Sequence, residues 1–200
     1  MLFIDEFIKS SLALFIIMDP FASLPVFLGL TKGQNDYQKF RSSLTATSIA
    51  TIVLAGFVLF GPALMETMAI SMPAFTIAGG ILLLLTAIIS FLGIEIGGSE
   101  AKVDIKIVVV AVPLIAGPGA MTTSIILANE YGLLTVFSAI GVVAIAIFAV
   151  LLLSRQISKL AGENGVEIAS KIFSILLAAI AIEFIKNGGF QILTEWGLIS

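Results

Sequence analysis

The chain has 200 residues, of which 59% are hydrophobic and 12% are charged, and its formal net charge at pH 7 is −3. A mean hydropathy of +1.17 excludes a water-soluble surface for a chain of this length, so the composition predicts an integral membrane protein. The absence of cysteine and histidine excludes disulfides, imidazole bases and ordinary zinc or copper sites, and the lack of a basic block argues against a nucleic-acid partner.

Polar interruptions divide the chain into six predicted transmembrane helices. Each apolar run is close to the roughly 20 residues that a helix needs to cross hydrocarbon, where only a helix satisfies the backbone of an open segment. The predicted spans are residues 3–30, 44–65, 74–92, 107–128, 133–153 and 169–188. The first and fourth are predicted to be broken near the midplane, with second halves that begin at Pro20 and Pro118, whereas Pro62 and Pro73 are interpreted as helix ends.

The distribution of basic residues predicts the orientation, because cytoplasmic loops collect Lys and Arg. Eight of the ten basic residues lie in the three loops that join spans one to two, three to four and five to six: Lys32, Lys39, Arg41, Lys102, Lys106, Arg155, Lys159 and Lys171. The loops that contain Glu66 and Glu130 have none. Both termini are therefore predicted to be extracytoplasmic, with the first span retained because residues 1–9 do not resemble a cleaved signal.

An internal repeat relates the two halves of the chain. Pro20 and Pro118 lie 98 residues apart, and the same shift aligns residues 75–77 with residues 173–175. Because each half contains three spans, the second half enters the membrane from the opposite side, which predicts an inverted repeat of the kind found in secondary transporters. Residues 1–200 are thus predicted to form one membrane domain, with repeats at roughly 1–95 and 105–200.

Both breaks have the sequence of a helix start, with Asp19 at a cap position and glycines around Pro118 that permit a tight turn. Two half-helix N-termini that meet near the midplane would present free N–H groups and about half an elementary positive charge each, which suits a carboxylate. The predicted substrate-binding residues are Asp19, Pro20, Phe21, Ala22, Ser23, Gly117, Pro118, Gly119, Ala120, Thr122 and Thr123.

The role of Asp19 stays open at this level, because the carboxylate can cap its half-helix, contact a substrate ammonium group, or bind a coupling sodium ion or proton. Glu183 is a second candidate for the coupling ion or proton, although Lys186 and Asn187 follow it and favour a paired helix end. An intramembrane enzyme is not predicted, because Asp19 has no second carboxylate and Ser23 has no evident base.

Three further residues of the third span, Thr76, Gly79 and Gly80, are possible lining residues of the site. Adjacent glycines in a membrane helix are typical of close helix contacts, so a packing role is the alternative for both of them.

Three stretches together resemble the MarC family of six-span membrane proteins. They are Asp19-Pro20-Phe21-Ala22-Ser23-Leu24-Pro25-Val26-Phe27, Ile77-Ala78-Gly79-Gly80-Ile81-Leu82 and Pro113-Leu114-Ile115-Ala116-Gly117-Pro118-Gly119-Ala120. The resemblance extends over nearly the whole chain in length, order and spacing. It implies a multi-pass protein of a prokaryotic plasma membrane that transports small neutral amino acids such as glycine and alanine, with proton coupling proposed. Relatives often carry Asn at the position of Asp19.

The sequence therefore predicts a secondary carrier that works by alternating access and symport with an ion or proton. Its expected partners are a small neutral amino acid and the lipid bilayer, and no resident cofactor or metal is expected. The alternatives are a carrier or exporter of another small metabolite or drug, and a channel. A carrier saturates and exchanges its substrate, whereas a channel conducts downhill with little saturation.

Overall fold

The computed structural model describes residues 2–93 and 115–198, and all regular structure in these two ranges is α-helical. The helices, numbered in chain order, are α1 (Leu2–Ile17), α2 (Pro20–Leu30), α3 (Asp36–Thr67), α4 (Met72–Leu92), α5 (Pro118–Tyr131), α6 (Leu133–Leu152) and α7 (Ser154–Glu195). In the described ranges four helices are long and apolar enough to cross a membrane, and the bent pair of α1 and α2 makes up to five. The predicted helical membrane fold is confirmed.

The predicted second halves of the two broken spans begin where the sequence placed them. Helix α2 starts at Pro20 and helix α5 at Pro118, since proline at the first helical position loses no intrahelical hydrogen bond. The chain bends by 45° between α1 and α2. The first part of the fourth predicted span, residues 107–114, lies outside the described residues, so the count of six spans and the inverted repeat stay predictions.

Two predicted boundaries differ from the structure. Pro73 lies in the first turn of α4, which begins at Met72, but Pro62 lies inside α3, which continues to Thr67. The polar stretch predicted as the loop before the sixth span is helical, because α7 begins at Ser154 and is interrupted only at Gly162, where φ is 70° and ψ is 171°. Arg, Lys and Gln are good helix formers, so polarity marked the edge of the apolar span and not the end of the helix.

Helices α4 and α7 form a closely packed antiparallel pair. A Cβ atom added at Gly80 would lie 2.8 Å from the Ala181 carbonyl oxygen, and one added at Gly188 would lie 2.8 Å from the Pro73 carbonyl oxygen. Residues further along α4 therefore contact residues nearer the start of α7, so the two helices run in opposite directions. Small residues allow this approach of two backbones, as is common between membrane helices. Helix α2 packs against α7, helix α5 packs against α4, and α1 and α3 pack against α6.

Two of the three loops predicted to share one face do lie at the same end, and the third, between the third and fourth predicted spans, falls outside the described residues. Arg155, near the start of α7, donates a hydrogen bond from Nη2 to the Gln34 carbonyl oxygen at 2.6 Å, and its Nη1 lies 3.6 Å from Asp36 Oδ1. The basic loop between α2 and α3 therefore shares one end of the molecule with the junction between α6 and α7. Which side of the membrane this end faces stays a prediction.

Candidate functional site

The first break is organised by Asp19, which lies between α1 and α2 with left-handed backbone angles, φ 33° and ψ 74°. Its Oδ1 accepts a hydrogen bond from the Ala22 N–H at 3.1 Å, and its carbonyl oxygen accepts one from Ser23 Oγ at 3.2 Å. Aspartate is one of the few non-glycine residues that tolerate this conformation, because its short side chain bonds locally. Asp19 is therefore the N-cap of α2, as the sequence predicted.

The cap uses only one of the two carboxylate oxygens of Asp19. The side chain is 7% exposed, and Oδ2 is buried without a hydrogen-bond partner among the described residues. Helices α2, α4 and α6 contain no charged residue at all, and the nearest charged residue that precedes Asp19 in α1 is Lys9, some ten positions away. Burial of a carboxylate without a compensating partner is costly, so this oxygen is available for a ligand.

Three serines of α4 and α7 lie next to the first break. Ser174 Oγ is 2.9 Å from Ser90 Oγ and 2.9 Å from the Ser170 carbonyl oxygen, and the Ser90 and Ser170 hydroxyls are 3.5 Å apart. The Ser90 hydroxyl is close enough to the Asp19 carboxyl group to act on it as a weak donor, although the two groups are farther apart than in a hydrogen bond of standard length. No sequence signal marks these serines, because their partners are 80 and 84 residues away and no local pattern links them.

Aromatic contacts hold the start of α2 at the level of the serines. The Phe21 ring packs edge-on against Phe173 with centroids 5.0 Å apart, and Phe15 packs on the same ring at 5.8 Å. Such edge-to-face pairs contribute about 0.5–1.5 kcal/mol beyond their buried area. Since Phe173 precedes Ser174, these contacts fix the break against the serine-bearing turn of α7.

The second break has the same helix start without a side-chain cap. Gly117 has extended angles, φ −65° and ψ 170°, and offers no side chain to the first turn of α5. The Met121 N–H bonds to the Gly117 carbonyl oxygen at 3.1 Å, which leaves the N–H groups of Gly119 and Ala120 without an intrahelical partner. Free N–H groups and the helix dipole together favour an anion at this end.

Close contacts with α4 surround this second helix start. A Cβ atom added at Gly119 would overlap Leu83 Cδ2, and one added at Gly79 would overlap the Thr122 methyl group. Thr122 is 5% exposed and its hydroxyl donates to the Pro118 carbonyl oxygen at 2.9 Å. Gly79 therefore serves as a close helix contact.

Two other predicted residues, Gly80 and Thr123, have different surroundings. Gly80 faces the α7 backbone, with the Ala181 carbonyl oxygen and the Ile185 N–H among its nearest groups. Thr123 is completely buried, and its Oγ1 has no hydrogen-bond partner within the described part of the chain. Gly80 thus has a packing role, while the Thr123 hydroxyl remains free for a ligand.

The predicted site residues fall into two groups that share one hydrophobic core. Ile17 and Met18 before the first break belong to the same cluster of buried residues as Ile115, Ala116 and Ala120 around the second. The first group contacts α7 and lies near Ser90 of α4, and the second group contacts α4, so both breaks are positioned by the antiparallel pair. The structure thus brings Asp19 together with the serines, and Thr122 together with Gly79.

A cavity of about 290 Å³ lies beyond the second break, toward the end of the molecule opposite the basic loops. Its lining residues are Met72, Thr76, Ile126, Asn129, Glu130, Phe184, Asn187, Phe190 and Gln191. Of the three predicted lining residues Thr76, Gly79 and Gly80, Thr76 borders this cavity. Ile126, which also borders it, is one helical turn from Thr122. The lining residues nearest to the second break, Thr76 and Ile126, are each about one helical turn from the contact between Gly79 and Thr122.

Glu183, the other predicted candidate for ion or proton coupling, lies near this end on α7. Its Oε1 is 2.6 Å from Lys186 Nζ, and both side chains are more than half exposed. The geometry agrees with the interpretation of a paired helix end, and a coupling role for Glu183 stays a prediction.

Comparison with known proteins gives one consistent result. The family model described as "MarC family integral membrane protein" matches residues 4–193. The UPF0056 membrane protein of Archaeoglobus fulgidus is 32% identical over 202 residues, which cover 93% of each chain. A UPF0056 membrane protein of Aquifex aeolicus is 33% identical over 198 residues, and YhcE of Escherichia coli is 29% identical over 196 residues, each match covering 91% of both chains. No solved structure matches the chain.

Proposed function

The chain belongs to the MarC family of integral membrane proteins, and from that premise we propose that it is a secondary transporter of small neutral amino acids of the glycine and alanine type. Multi-pass relatives occur in both archaea and bacteria. The proposal includes a plasma-membrane location with both termini on the extracytoplasmic side, as the positions of Lys and Arg predict.

The uncapped start of α5 is the observation that carries this proposal. Two backbone N–H groups, of Gly119 and Ala120, point out of the helix without an intrahelical partner, in a part of the molecule that contains no Lys or Arg. A substrate carboxylate would satisfy them and would gain from the partial positive charge of the helix end. Discontinuous helices of secondary transporters bind substrate carboxylates through such ends.

The surroundings of α5 favour a small substrate without net charge. Leu83, Ala116 and Ala120 are buried apolar residues around the helix start, and an additional charged group among them would be desolvated without compensation. The glycine contacts with α4 leave little space for a long side chain. Glycine and alanine meet both conditions, since their carboxylate and ammonium charges cancel.

The proposed mechanism is alternating access. The substrate binds near the two breaks, and the two halves of the chain rearrange to open the site to either side of the membrane in turn. The cavity that contains Thr76 and Asn129 is the proposed route to the extracytoplasmic side.

Uptake by purified protein in proteoliposomes tests the proposal. Labelled glycine or alanine should enter with saturable kinetics and accumulate when a proton or sodium gradient is imposed. Alanine should compete with glycine, whereas a hydrophobic drug should not. Absence of saturable uptake under every gradient, with protein shown to be folded, would contradict amino-acid transport, and competition by the drug would favour export of another metabolite.

A further inference from the structure

The buried carboxylate oxygen of Asp19 and the serines beside it form a polar group that the proposed substrate position does not explain. Asp19 Oδ2 has no hydrogen-bond partner among the described residues, while Ser174, which is 1% exposed, lies 2.9 Å from Ser90 Oγ. The Ser174 hydroxyl has one proton for two possible acceptors, Ser90 Oγ and the Ser170 carbonyl oxygen. Lone pairs of these hydroxyls therefore remain free next to a carboxylate.

This polar group lies at a different level of the membrane from the start of α5. Gly119 contacts Leu83 on α4, whereas Asp19 lies beside Ser90, seven residues further along the same helix. At about 1.5 Å per residue the two levels are roughly 10 Å apart along α4. Glycine or alanine is too short to bridge that separation, so a carboxylate bound at α5 leaves Asp19 free for a second ligand.

We propose that Asp19, Ser90 and Ser174 form a binding site for a small monovalent cation, held by carboxylate and hydroxyl oxygens. Hard cations prefer oxygen ligands, and the cluster supplies one unpaired carboxylate oxygen and two adjacent hydroxyls. The same oxygens suit a sodium ion or a proton carried as hydronium. The site deepens the proposed function, because it would be the place where the coupling cation binds.

No competing charge faces this site from the described helices that pack around it. Helices α2, α4 and α6 have no charged residue, and Lys9 of α1 is some ten positions from Asp19. On α7 the neighbouring Lys171 is paired with Glu167, with Nζ 2.6 Å from Oε1. A cation would therefore be the counter-charge of the Asp19 carboxylate.

The test is the thermal unfolding midpoint of the full chain in detergent, because it does not depend on transport. Sodium chloride replaces choline chloride at constant ionic strength in one series, and pH is lowered without sodium in the other. A bound cation should raise the midpoint saturably. Ser90→Ala and Ser174→Ala should each raise the half-saturating cation concentration about tenfold, as expected for loss of one hydrogen-bonding partner of a charged group.

Two further variants and one control make the result specific. Asp19→Asn should abolish the cation effect while keeping the fold, and Ser90→Thr, which retains the hydroxyl, should behave as the unchanged protein. Ser138→Ala is the control, because Ser138 only donates to the Leu134 carbonyl oxygen of its own helix. Saturation by sodium identifies sodium as the ligand, and saturation by acid alone identifies a proton taken up by the site.

If Ser90→Ala and Ser174→Ala respond to both cations as Ser138→Ala does, the site is contradicted. This outcome is independent of the uptake experiment. If glycine is taken up but the cation effect does not depend on the serines, the proposed transport stands and the cation site is contradicted. If the cation effect is seen without glycine uptake, the cation site stands and the proposed substrate is contradicted.

Discussion

The two breaks begin with the same element, a proline at the first position of a half-helix, yet they offer opposite chemistry. At Pro20 the helix start is capped by Asp19 Oδ1, so the N–H of Ala22 is already satisfied and a carboxylate oxygen is left over. At Pro118 no side chain caps the start, and N–H groups are left over instead. The first break therefore suits a cation and the second suits an anion.

The shift of 98 residues aligns the two prolines, but the residues before them differ in conformation as well as in side chain, because Asp19 is left-handed and Gly117 is extended. Asp19 corresponds to Gly117, and Ser174 corresponds to Thr76, which lines the cavity. In the predicted repeat, the exchange of Asp19 for Gly117 before the proline is therefore enough to change what the helix start can bind. We expect substitutions at the two breaks to have different effects, and the following experiments test this.

The largest effect is expected at the α4–α7 contact on which both breaks depend. Gly188→Ala would place a Cβ atom 2.8 Å from the Pro73 carbonyl oxygen, a backbone atom that cannot move aside. We expect a loss of about 3 kcal/mol of stability, since overpacking costs 1–3 kcal/mol and backbone contacts lie at the upper end. Gly189→Ala is the matched control because nothing lies within 4 Å of its Cβ position. Equal thermal unfolding midpoints for the two variants would contradict the close packing.

A smaller difference in stability is expected between matched substitutions in the two half-helices, α2 and α5. Gly119→Ala in α5 overlaps Leu83, whereas Gly29→Ala in α2 meets nothing within 4 Å. Gly119→Ala should lose about 2 kcal/mol and slow glycine uptake, because its Cβ displaces the helix start from α4. Gly29→Ala should be neutral or stabilising by about 0.5 kcal/mol, since alanine is the better helix former. Similar losses in both variants would show that α5 is not the more tightly held half-helix.

The cap and the charge of Asp19 can be separated by two substitutions. Asp19→Ala removes the acceptor for the Ala22 N–H and should cost about 1 kcal/mol of stability. Asp19→Asn keeps an acceptor and tolerates the left-handed conformation, so its unfolding midpoint should stay close to that of the unchanged protein. Gradient-driven accumulation of glycine should fall in both. Full accumulation by Asp19→Asn would leave Asp19 with the capping role alone.

The smallest structural effect is expected at Thr122. Thr122→Val keeps the methyl group that fills the space beside Gly79 and removes only the hydroxyl that donates to the Pro118 carbonyl oxygen. Stability should change by less than about 1 kcal/mol, because the lost bond lies within one helix. A weaker apparent affinity for glycine would place the hydroxyl at the substrate, and an unchanged affinity would remove Thr122 from the site.

The helix starts were predictable because their signals are local. Asp19-Pro20 and Gly117-Pro118 place capping and proline residues next to each other, and both helices begin at the predicted residue. The helical stretch after Ser154 was missed because its polar residues ended the apolar span and not the helix. Pro62 was misread because a single proline can remain within a helix at the cost of one hydrogen bond.

The serine cluster was beyond sequence reasoning for a different reason. Ser90 and Ser174 become neighbours only through the antiparallel packing of α4 and α7, which places residues 84 positions apart within hydrogen-bond distance. Isolated serines in apolar helices usually bond to their own backbone, so neither residue carries a signal alone. The unpaired Oδ2 of Asp19 likewise follows from three-dimensional burial, whereas its capping role was visible in the sequence.

Exchange of labelled glycine in proteoliposomes tests the central claim most directly, because it requires binding and alternating access but no gradient. Vesicles are loaded with unlabelled glycine and diluted into a trace of labelled glycine. We expect transient accumulation of label that saturates with glycine concentration and is weakened by Gly119→Ala but not by Gly29→Ala. Entry that rises linearly with concentration, without accumulation, would contradict a carrier and indicate a channel.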